Sequence, residues 1–159
     1  MEIRLLTTEE LPAAEAVVRL GFATVAETFH LTRENCPTNG AYLVPGRLAS
    51  ERDKGAVQAG CFMEGRMVGY VQITAVQNGA CEMEKLSVLP EARRCGAGAA
   101  LVHWAKDMAG QRGAQRLCIG IIEENAPLKA WYEKLGFVHM GTRVFAHLPF
   151  TVGFMEMRV

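Results

Sequence analysis

The sequence has 159 residues, of which 50% are hydrophobic and 21% charged, so we expect a folded protein with a hydrophobic core and exclude a disordered chain. Seventeen basic residues balance seventeen acidic ones, which disfavours nucleic acid as a partner because binding to phosphate backbones needs a basic excess. The five cysteines form no Cys-x-x-Cys pair, so neither a zinc site nor a disulfide framework is indicated.

The chain carries no signal for secretion or for a membrane. The amino terminus lacks a long apolar segment, and no stretch approaches about eighteen consecutive apolar residues. We therefore expect no membrane partner, and the scattered cysteines favour a reducing, cytoplasmic location. No linker or internal repeat divides the sequence, which predicts one domain over residues 1–159.

The first predicted elements are a strand, a long helix and an irregular loop. The segment EIRLLT at residues 2–7 is typical of a short strand, and Thr7 and Glu10 have the capping-box spacing that begins a helix. This helix runs into the twenties with one apolar stripe, formed by Leu11, Ala14, Val17, Val18 and Phe22. Residues 35–46 contain two prolines and two glycines and predict a long connection of the kind that often lines a site.

The rest of the chain predicts a mixed sheet. Strands are expected at 56–63, 66–77 and 81–89, joined by Glu64-Gly65 and Asn78-Gly79 turns, and these three form an antiparallel meander. After residue 90 come a helix at about 96–111, a strand at 114–122, a helix at about 126–135 and strands at 137–147 and 153–159. Because a strand, helix and strand in succession form a parallel pair, we expect parallel and antiparallel neighbours in one sheet.

The turn before the second long helix has the features of an anion site. If the helix begins near Gly96, its first backbone N–H groups are unpaired and carry the positive end of the helix dipole. Gly96 and Gly98 would let a phosphate approach the backbone, and Arg93 and Arg94 could add charge-assisted contacts. A diphosphate suits this turn, whereas the alternative is a plain tight turn that binds nothing. Position 101 is Leu, so the dinucleotide fingerprint Gly-x-Gly-x-x-Gly is absent.

Two segments resemble the signatures of the GNAT acetyltransferase superfamily. LSVLPEARRCGAGAALVHWA is similar to its acyl-CoA pyrophosphate loop, Arg/Gln-x-x-Gly-x-Gly/Ala, whose positions are filled by Arg93, Gly96 and Gly98. ENAPLKAWYEKLGFVHMG is similar to its second signature, whose positions are filled by Asn125, Tyr132, Gly136 and Phe137. Many members have Gly directly after the motif Arg, where this chain has Arg94 and then Cys95, so the phosphate that each arginine contacts stays open.

The resemblance implies a fold, a cofactor and a reaction. It implies an α/β (α+β) acyl-CoA N-acyltransferase fold with a mixed sheet of about six to seven strands and helices on both faces. It also implies transfer of an acetyl group from acetyl-CoA, without a metal, to a primary amine of a small molecule or peptide by direct attack in a ternary complex. A non-catalytic acyl-CoA-binding regulatory module and a generic α/β domain that binds no CoA are the alternatives. Members often dimerise, so a homodimer is open.

The implied cofactor site takes its residues from the strand, the turn and the second signature. In the family the first of two splayed parallel strands pairs with the pantetheine arm through its backbone, which is how a strand edge recognises an added strand. The residues expected to contact the cofactor are Leu86, Ser87, Val88, Arg93, Arg94, Gly96, Ala97, Gly98, Ala99 and Asn125.

Tyr132 and Glu84 are the expected catalytic residues. Tyr132 lies seven residues after Asn125 and so shares its helix face, from which the hydroxyl could protonate the departing CoA thiolate. The alternative is a packed Tyr whose hydroxyl bonds to the backbone. Glu84 could accept a proton from the ammonium substrate, directly or through water.

Other bases and a covalent route stay open at this stage. Glu82 and His139 are rival bases, and His147 lies near the predicted substrate side. Cys95 could act as a nucleophile because a thiol at a helix N-terminus has a lowered pKa, but no paired His is evident and direct amine attack needs no such intermediate.

Overall fold

The chain forms seven strands and four helices in a computed structural model that describes residues 1–159. The strands are β1 Glu2–Leu5, β2 Val57–Met63, β3 Arg66–Ile73, β4 Ala80–Val88, β5 Arg116–Ile122, β6 Val138–Val144 and β7 Thr151–Arg158. The helices are α1 Leu11–Thr28, α2 Arg47–Asp53, α3 Ala97–Gln111 and α4 Ala126–Lys134. The strands form one sheet in the order β1-β2-β3-β4-β5-β7-β6, which confirms the expected mixed sheet.

The meander forms as predicted, with shorter strands than the sequence suggested. β2, β3 and β4 are antiparallel neighbours, and both connecting turns use two consecutive residues of positive φ, as two-residue hairpins require. The strand expected at 66–77 ends at Ile73, and only an isolated bridge between Gln77 and Ala80 continues the pairing at the Asn78-Gly79 turn. The strand expected at 137–147 likewise ends at Val144.

Helices cover both faces of the sheet, as expected. Gly69 and Gln72 of β3 face opposite sides because strand side chains alternate. On one side, Leu101 of α3 lies so near Gly69 that an added Cβ would stand 2.9 Å from its Cδ1. On the other side, Gln72 donates to Glu51 of α2 at 2.8 Å. We call these the α3 side and the α1 side of the sheet.

Helix α1 begins and packs largely as its sequence predicts. A 3-10 turn at Thr8–Glu10 precedes it, and the Thr7 N–H donates to the Glu10 carboxylate at 2.9 Å. The predicted apolar stripe is buried except at Phe22, which is half-buried. The connection expected at 35–46 contains a 3-10 turn at Gly40–Tyr42 and leads into α2. No helix combines the length and the apolar character that spanning a bilayer requires.

The sheet opens between its two central parallel strands. β4 and β5 pair only at their first residues, Ala80 with Arg116, Cys81 with Leu117 and Glu82 with Cys118. Beyond Glu82 the two strands separate, so the remaining length of β4 has no strand neighbour on its β5 side. This opening is the splayed arrangement that the resemblance implied.

A bulge in β4 lies at the mouth of this opening. Tyr70 pairs with Ser87 and Gln72 with Glu84, so two residues of β4 stand opposite one of β3. Lys85 takes up the extra length in the left-handed region at a φ of 54°. At the bulge, the Glu84 and Lys85 side chains both point to the α1 side. There Glu84 accepts a hydrogen bond from Gln72, and Lys85 donates one to Glu51 of α2.

Candidate functional site

A cleft of about 840 Å³ occupies the opening between β4 and β5. Its walls come from α1, the loop near residue 40, β4, the turn before α3, β5, α4 and the segment before β7. The cleft therefore reaches from the predicted anion turn, past the bulge of β4, to the α1 side of the sheet. Tyr132 and Glu84, which the sequence separates by 48 residues, both line it.

The anion turn presents an unusual run of free donors. The backbone N–H groups of residues 94–99 have no hydrogen-bond acceptor in the protein. Arg94 and Gly96 adopt positive φ angles of 64° and 87°, which turn the backbone so that α3 can begin at Ala97. Because the first N–H groups of a helix carry its positive dipole end, the turn can hold an anion through its backbone.

Gly98 has a second role that the sequence did not suggest. An added Cβ there would lie 3.3 Å from the ring of Trp131 in α4. The missing side chain therefore lets the Trp131 ring lie against the first turn of α3. This contact brings α4, and with it Tyr132, to the cleft wall opposite β4.

The two arginines of the turn have different environments. Arg93 donates from Nη2 to the Gly21 carbonyl and to Thr24 Oγ1, both at 2.9 Å, and from Nε to the Val88 carbonyl at 3.2 Å. Its guanidinium thus ties the turn to α1, an attachment that the sequence did not reveal. Arg94 is exposed, lines the cleft and has no hydrogen-bond or ion-pair partner in the protein.

Nine of the ten residues expected to contact acetyl-CoA line the cleft, and Ala97 does not. Ala97 is only 1% exposed and packs in the hydrophobic core, so its backbone N–H is the only part of it that could serve a ligand. Ser87 faces α1 and donates its hydroxyl to the Lys85 carbonyl at 2.8 Å. Asn125 caps α4 by accepting from the Leu128 N–H at 3.3 Å, so it has a structural role at the cleft.

The ring of Tyr132 is packed against its neighbours, whereas its hydroxyl is accessible. The residue is 6% exposed, with edge-to-face contacts to Trp131 and Phe137 at centroid distances of 4.9 and 5.3 Å. Its hydroxyl has no hydrogen-bond partner in the protein. Because the structure contains no fully buried side-chain polar atom without a partner, this hydroxyl must be accessible, and it faces the cleft that Tyr132 lines. Burial raises the pKa of Tyr132, which keeps the hydroxyl protonated and able to donate.

Glu84 belongs to a polar network on the α1 side. Its Oε2 accepts from Gln72 Nε2 at 2.7 Å and lies 3.7 Å from Lys85 Nζ. Lys85 donates to Glu51 Oε1 at 2.8 Å. Burial alone would raise the pKa of Glu51, but hydrogen bonds from Lys85, Arg47 and Gln72 hold it below its ordinary value. Glu84 is therefore held at the cleft wall, with its side chain 34% exposed.

The structure brings only some of the rival catalytic residues to the cleft. Glu82 lines it, whereas His139 and His147 do not. His139 Nε2 lies 2.9 Å from Glu123 Oε2, and hydrogen bonds from Lys129 and then His139 hold the pKa of Glu123 below its usual range. Cys95 is exposed outside the cleft walls, where its thiol donates to the Ala92 carbonyl at 2.7 Å.

Sequence reasoning missed Gln72, Glu51 and Gly21. Gln72 is 1% exposed inside the apolar segment RMVGYVQI, and a polar residue in such a buried run is a signal that it has partners. Gly21 lies where an added Cβ would stand 2.9 Å from the Ser87 Cβ, so it sets the approach of α1 to β4. No group of three or more His, Cys, Asp and Glu side chains is arranged to hold a metal ion.

One protein family matches most of the sequence that forms this site. The model of the acetyltransferase (GNAT) family matches residues 24–137. This chain belongs to the GNAT acetyltransferase family. The match spans all of β2 to β5, α3 and α4, and it includes the resembling positions Arg93, Gly96, Gly98, Asn125, Tyr132, Gly136 and Phe137.

Individual GNAT proteins are similar to this chain in sequence or in fold. An uncharacterized N-acetyltransferase of Mycobacterium tuberculosis is 37% identical over 82 residues, which are 52% of this chain and 53% of that relative. The chain thus spans about half the length of this relative.

Solved GNAT structures share the fold over the full chain. The ribosomal-protein-alanine N-acetyltransferase from Brucella melitensis is similar with a TM-score of 0.75 and 22% identity, covering 100% of both chains. The PaiA N-acetyltransferase from Thermoplasma acidophilum, solved in complex with coenzyme A, has a TM-score of 0.76 and 17% identity over 99% of this chain and 98% of its own. Together they show that this chain has the GNAT fold.

Proposed function

We propose that this protein transfers the acetyl group of acetyl-CoA to a primary amine of a small molecule or peptide, by direct attack within a ternary complex. The observation that carries the proposal is the run of unpaired N–H groups at residues 94–99, which opens into the same cleft as Tyr132 and Glu84. A diphosphate at one end of the cleft would place an attached thioester between these two side chains.

The proposed donor site uses backbone more than side chains. The N–H groups of residues 94–99 bind the diphosphate, and Arg94 closes over it with a charge-assisted contact. The pantetheine arm lies between β4 and β5 and pairs with Leu86 to Val88, because this part of β4 has no strand neighbour on its β5 side. The complex of the Thermoplasma acidophilum protein with coenzyme A supports the choice of ligand.

The proposed acceptor chemistry begins at Glu84. Its carboxylate takes one proton from the substrate ammonium, directly or through water, which frees the nitrogen lone pair for attack on the thioester carbonyl carbon. Backbone N–H groups near Val88, beyond the bulge, polarise the carbonyl oxygen. Holding both reactants in one cleft supplies much of the rate, because the reaction becomes effectively unimolecular.

The reaction is completed at Tyr132. The new C–N bond forms as the C–S bond breaks, and the electron pair of that bond leaves with the sulfur. Tyr132 donates its hydroxyl proton to the sulfur, and the second proton lost from the nitrogen returns to the Tyr132 oxygen. Glu84 releases the first proton to water, so an ammonium and acetyl-CoA give an amide, CoA thiol and one released proton. A tyrosine hydroxyl is protonated at neutral pH, so its proton is present when the thiolate departs.

Calorimetric titration with acetyl-CoA tests the donor site first, with S-acetylpantetheine as the control that lacks the diphosphate. We expect acetyl-CoA to bind and S-acetylpantetheine to bind far more weakly. Thiol release in the presence of a panel of primary amines then tests transfer. No binding of acetyl-CoA at millimolar concentration would overturn the proposal, whereas tight binding without transfer to any amine would favour the non-catalytic acyl-CoA-binding module.

A further inference from the structure

We infer that the acceptor is a monoamine, meaning one primary ammonium on an apolar body that carries no anionic group. This inference rests on the proposed function, since it describes the second substrate of the same cleft. It is carried by the shape and charge of the part of the cleft on the α1 side, which we call the acceptor pocket.

The acceptor pocket lies across the sheet from the helix that carries Tyr132. Ile122 of β5 pairs directly with Val152 of β7, so both side chains point to one side of the sheet. That side is the α1 side, because Ile122 packs with Leu148 and Phe150 against Ala26 of α1 and its cluster. Glu84 points to the same side through its contact with Gln72.

Six apolar side chains line the pocket. They come from three separate segments and are all only half-buried, so their free surfaces face the cleft: Phe22, Val25, Ile122, Leu148, Phe150 and Val152. Removing a half-buried apolar surface of a concave site from water is favourable, so this surface stabilises the binding of an apolar ligand. A substrate with a purely polar body would leave this surface unused.

The charges of the pocket favour a cation and offer nothing to an anion. Glu82 and Glu84 are the two acidic residues that line the cleft. The one basic residue near them, Lys85, is already bonded to Glu51 at 2.8 Å and lies 3.7 Å from Glu84. A substrate carboxylate would therefore meet two carboxylates without a free cation, while an ammonium would be attracted by both.

The remaining cations of the cleft, Arg93 and Arg94, are engaged by other groups. Arg93 is bonded to α1 and to the Val88 carbonyl, and Arg94 lies in the anion turn. The hydrogen-bond donors of Arg93 are thus engaged within the protein, and the proposed donor already uses Arg94. The ammonium of a monoamine would thus stand at Glu84 with its body against Phe150 and its neighbours.

The test compares acceptors that differ by one feature. Steady-state kcat/KM is measured with saturating acetyl-CoA for phenethylamine, L-phenylalaninamide, L-phenylalanine, ethanolamine and an alanyl peptide amide. Phenylalanine and its amide share one body and differ in the carboxylate charge, while ethanolamine keeps the ammonium and lacks the apolar body. We expect phenethylamine to exceed ethanolamine by about tenfold or more, and phenylalaninamide to exceed phenylalanine by a similar factor.

A pair of variants connects the preference to the pocket. Phe150→Ala should lower kcat/KM for phenethylamine about tenfold more than it lowers the value for ethanolamine. Phe145→Ala is the matched control, because Phe145 is half-buried five residues earlier but does not line the cleft. Acetyl-CoA affinity, measured by calorimetry for each variant, should stay unchanged and reports that the fold is intact.

Each contrary result identifies what has failed. Equal use of phenylalanine and phenylalaninamide, equal use of ethanolamine and phenethylamine, or a preference for the alanyl peptide amide would overturn the monoamine while leaving acetyl transfer in place. Binding of acetyl-CoA without acetylation of any acceptor would overturn the monoamine and the transferase activity together. Failure to bind acetyl-CoA would overturn the proposed function at its donor site.

Discussion

Gln72 donates one N–H to Glu84 Oε2 at 2.7 Å and the other to Glu51 Oε2 at 2.8 Å, so one buried amide joins the carboxylate at the cleft to the carboxylate of α2. The amide cannot turn over, because its oxygen accepts from the Tyr70 hydroxyl at 2.7 Å. Gln72 is therefore a positioning residue for Glu84.

Replacing Gln72 with Met should lower kcat roughly tenfold to a hundredfold while acetyl-CoA affinity stays the same, because a misplaced catalytic group costs rate rather than binding. Gln58→Met is the control, since Gln58 is equally buried and bonds to the Leu48 carbonyl and Arg52, and it touches the Gln72 oxygen only at 3.5 Å without reaching Glu84. Steady-state kinetics and calorimetry measure the two quantities. Equal loss of kcat in both variants would mean that the network only supports folding.

Tyr132→Phe should lower kcat by roughly a hundredfold, because the departing thiolate loses its proton donor. The ring contacts to Trp131 and Phe137 are retained, so stability and acetyl-CoA affinity should change little. Tyr42→Phe is the control, since its hydroxyl donates to the Leu31 carbonyl outside the cleft walls. An unchanged kcat in Tyr132→Phe would remove the acid from the mechanism.

Arg94→Ala should weaken acetyl-CoA binding, whereas Arg93→Ala should mainly lower the stability of the fold. Losing Arg94 removes a partner of the diphosphate, which should raise the dissociation constant of acetyl-CoA about tenfold, equivalent to about 1.4 kcal/mol, with little change in stability. Losing Arg93 breaks bonds to Gly21 and Thr24 and should mainly lower the melting temperature. Calorimetry and thermal unfolding separate the two. The reverse pattern would place the diphosphate at Arg93.

The ion pair at the start of α1 predicts an acid-dependent stability. Hydrogen bonds from the Arg4 side chain and the Thr7 N–H lower the pKa of Glu10 to about 2. Because this pKa is depressed in the folded state, the stabilisation is complete above the ordinary value of 4.5 and disappears as the pH falls toward about 2.

Glu10→Gln should therefore be less stable than the parent protein at neutral pH, and the difference should shrink as the pH is lowered from about 6 to about 3. Urea midpoints at each pH measure it. Glu9→Gln is the control, because Glu9 is exposed beside Glu10 and has no partner. A difference that stays constant with pH would show that the loss does not come from the carboxylate charge.

Local features of the structure could be predicted from the sequence because each depends on a few adjacent residues. Asn78-Gly79 specified a tight hairpin since both residues tolerate positive φ, and both adopt it. Gly96 allowed α3 to begin directly after the turn for the same reason. The two signatures placed nine of ten expected cofactor residues on one cleft, since the order of strand, turn and helix brings these residues together.

Relationships between distant residues were decided only by tertiary structure. Arg93 bonds to the Gly21 carbonyl, which is 72 residues away in the sequence. The sequence analysis assigned both arginines to the phosphates because it could not predict this contact. β7 inserts between β5 and β6, and Gln72 meets Glu51 across 21 residues. Backbone preference acts over a few residues, whereas these contacts depend on how whole strands and helices pack, so they appear only when the sheet and its helices come together.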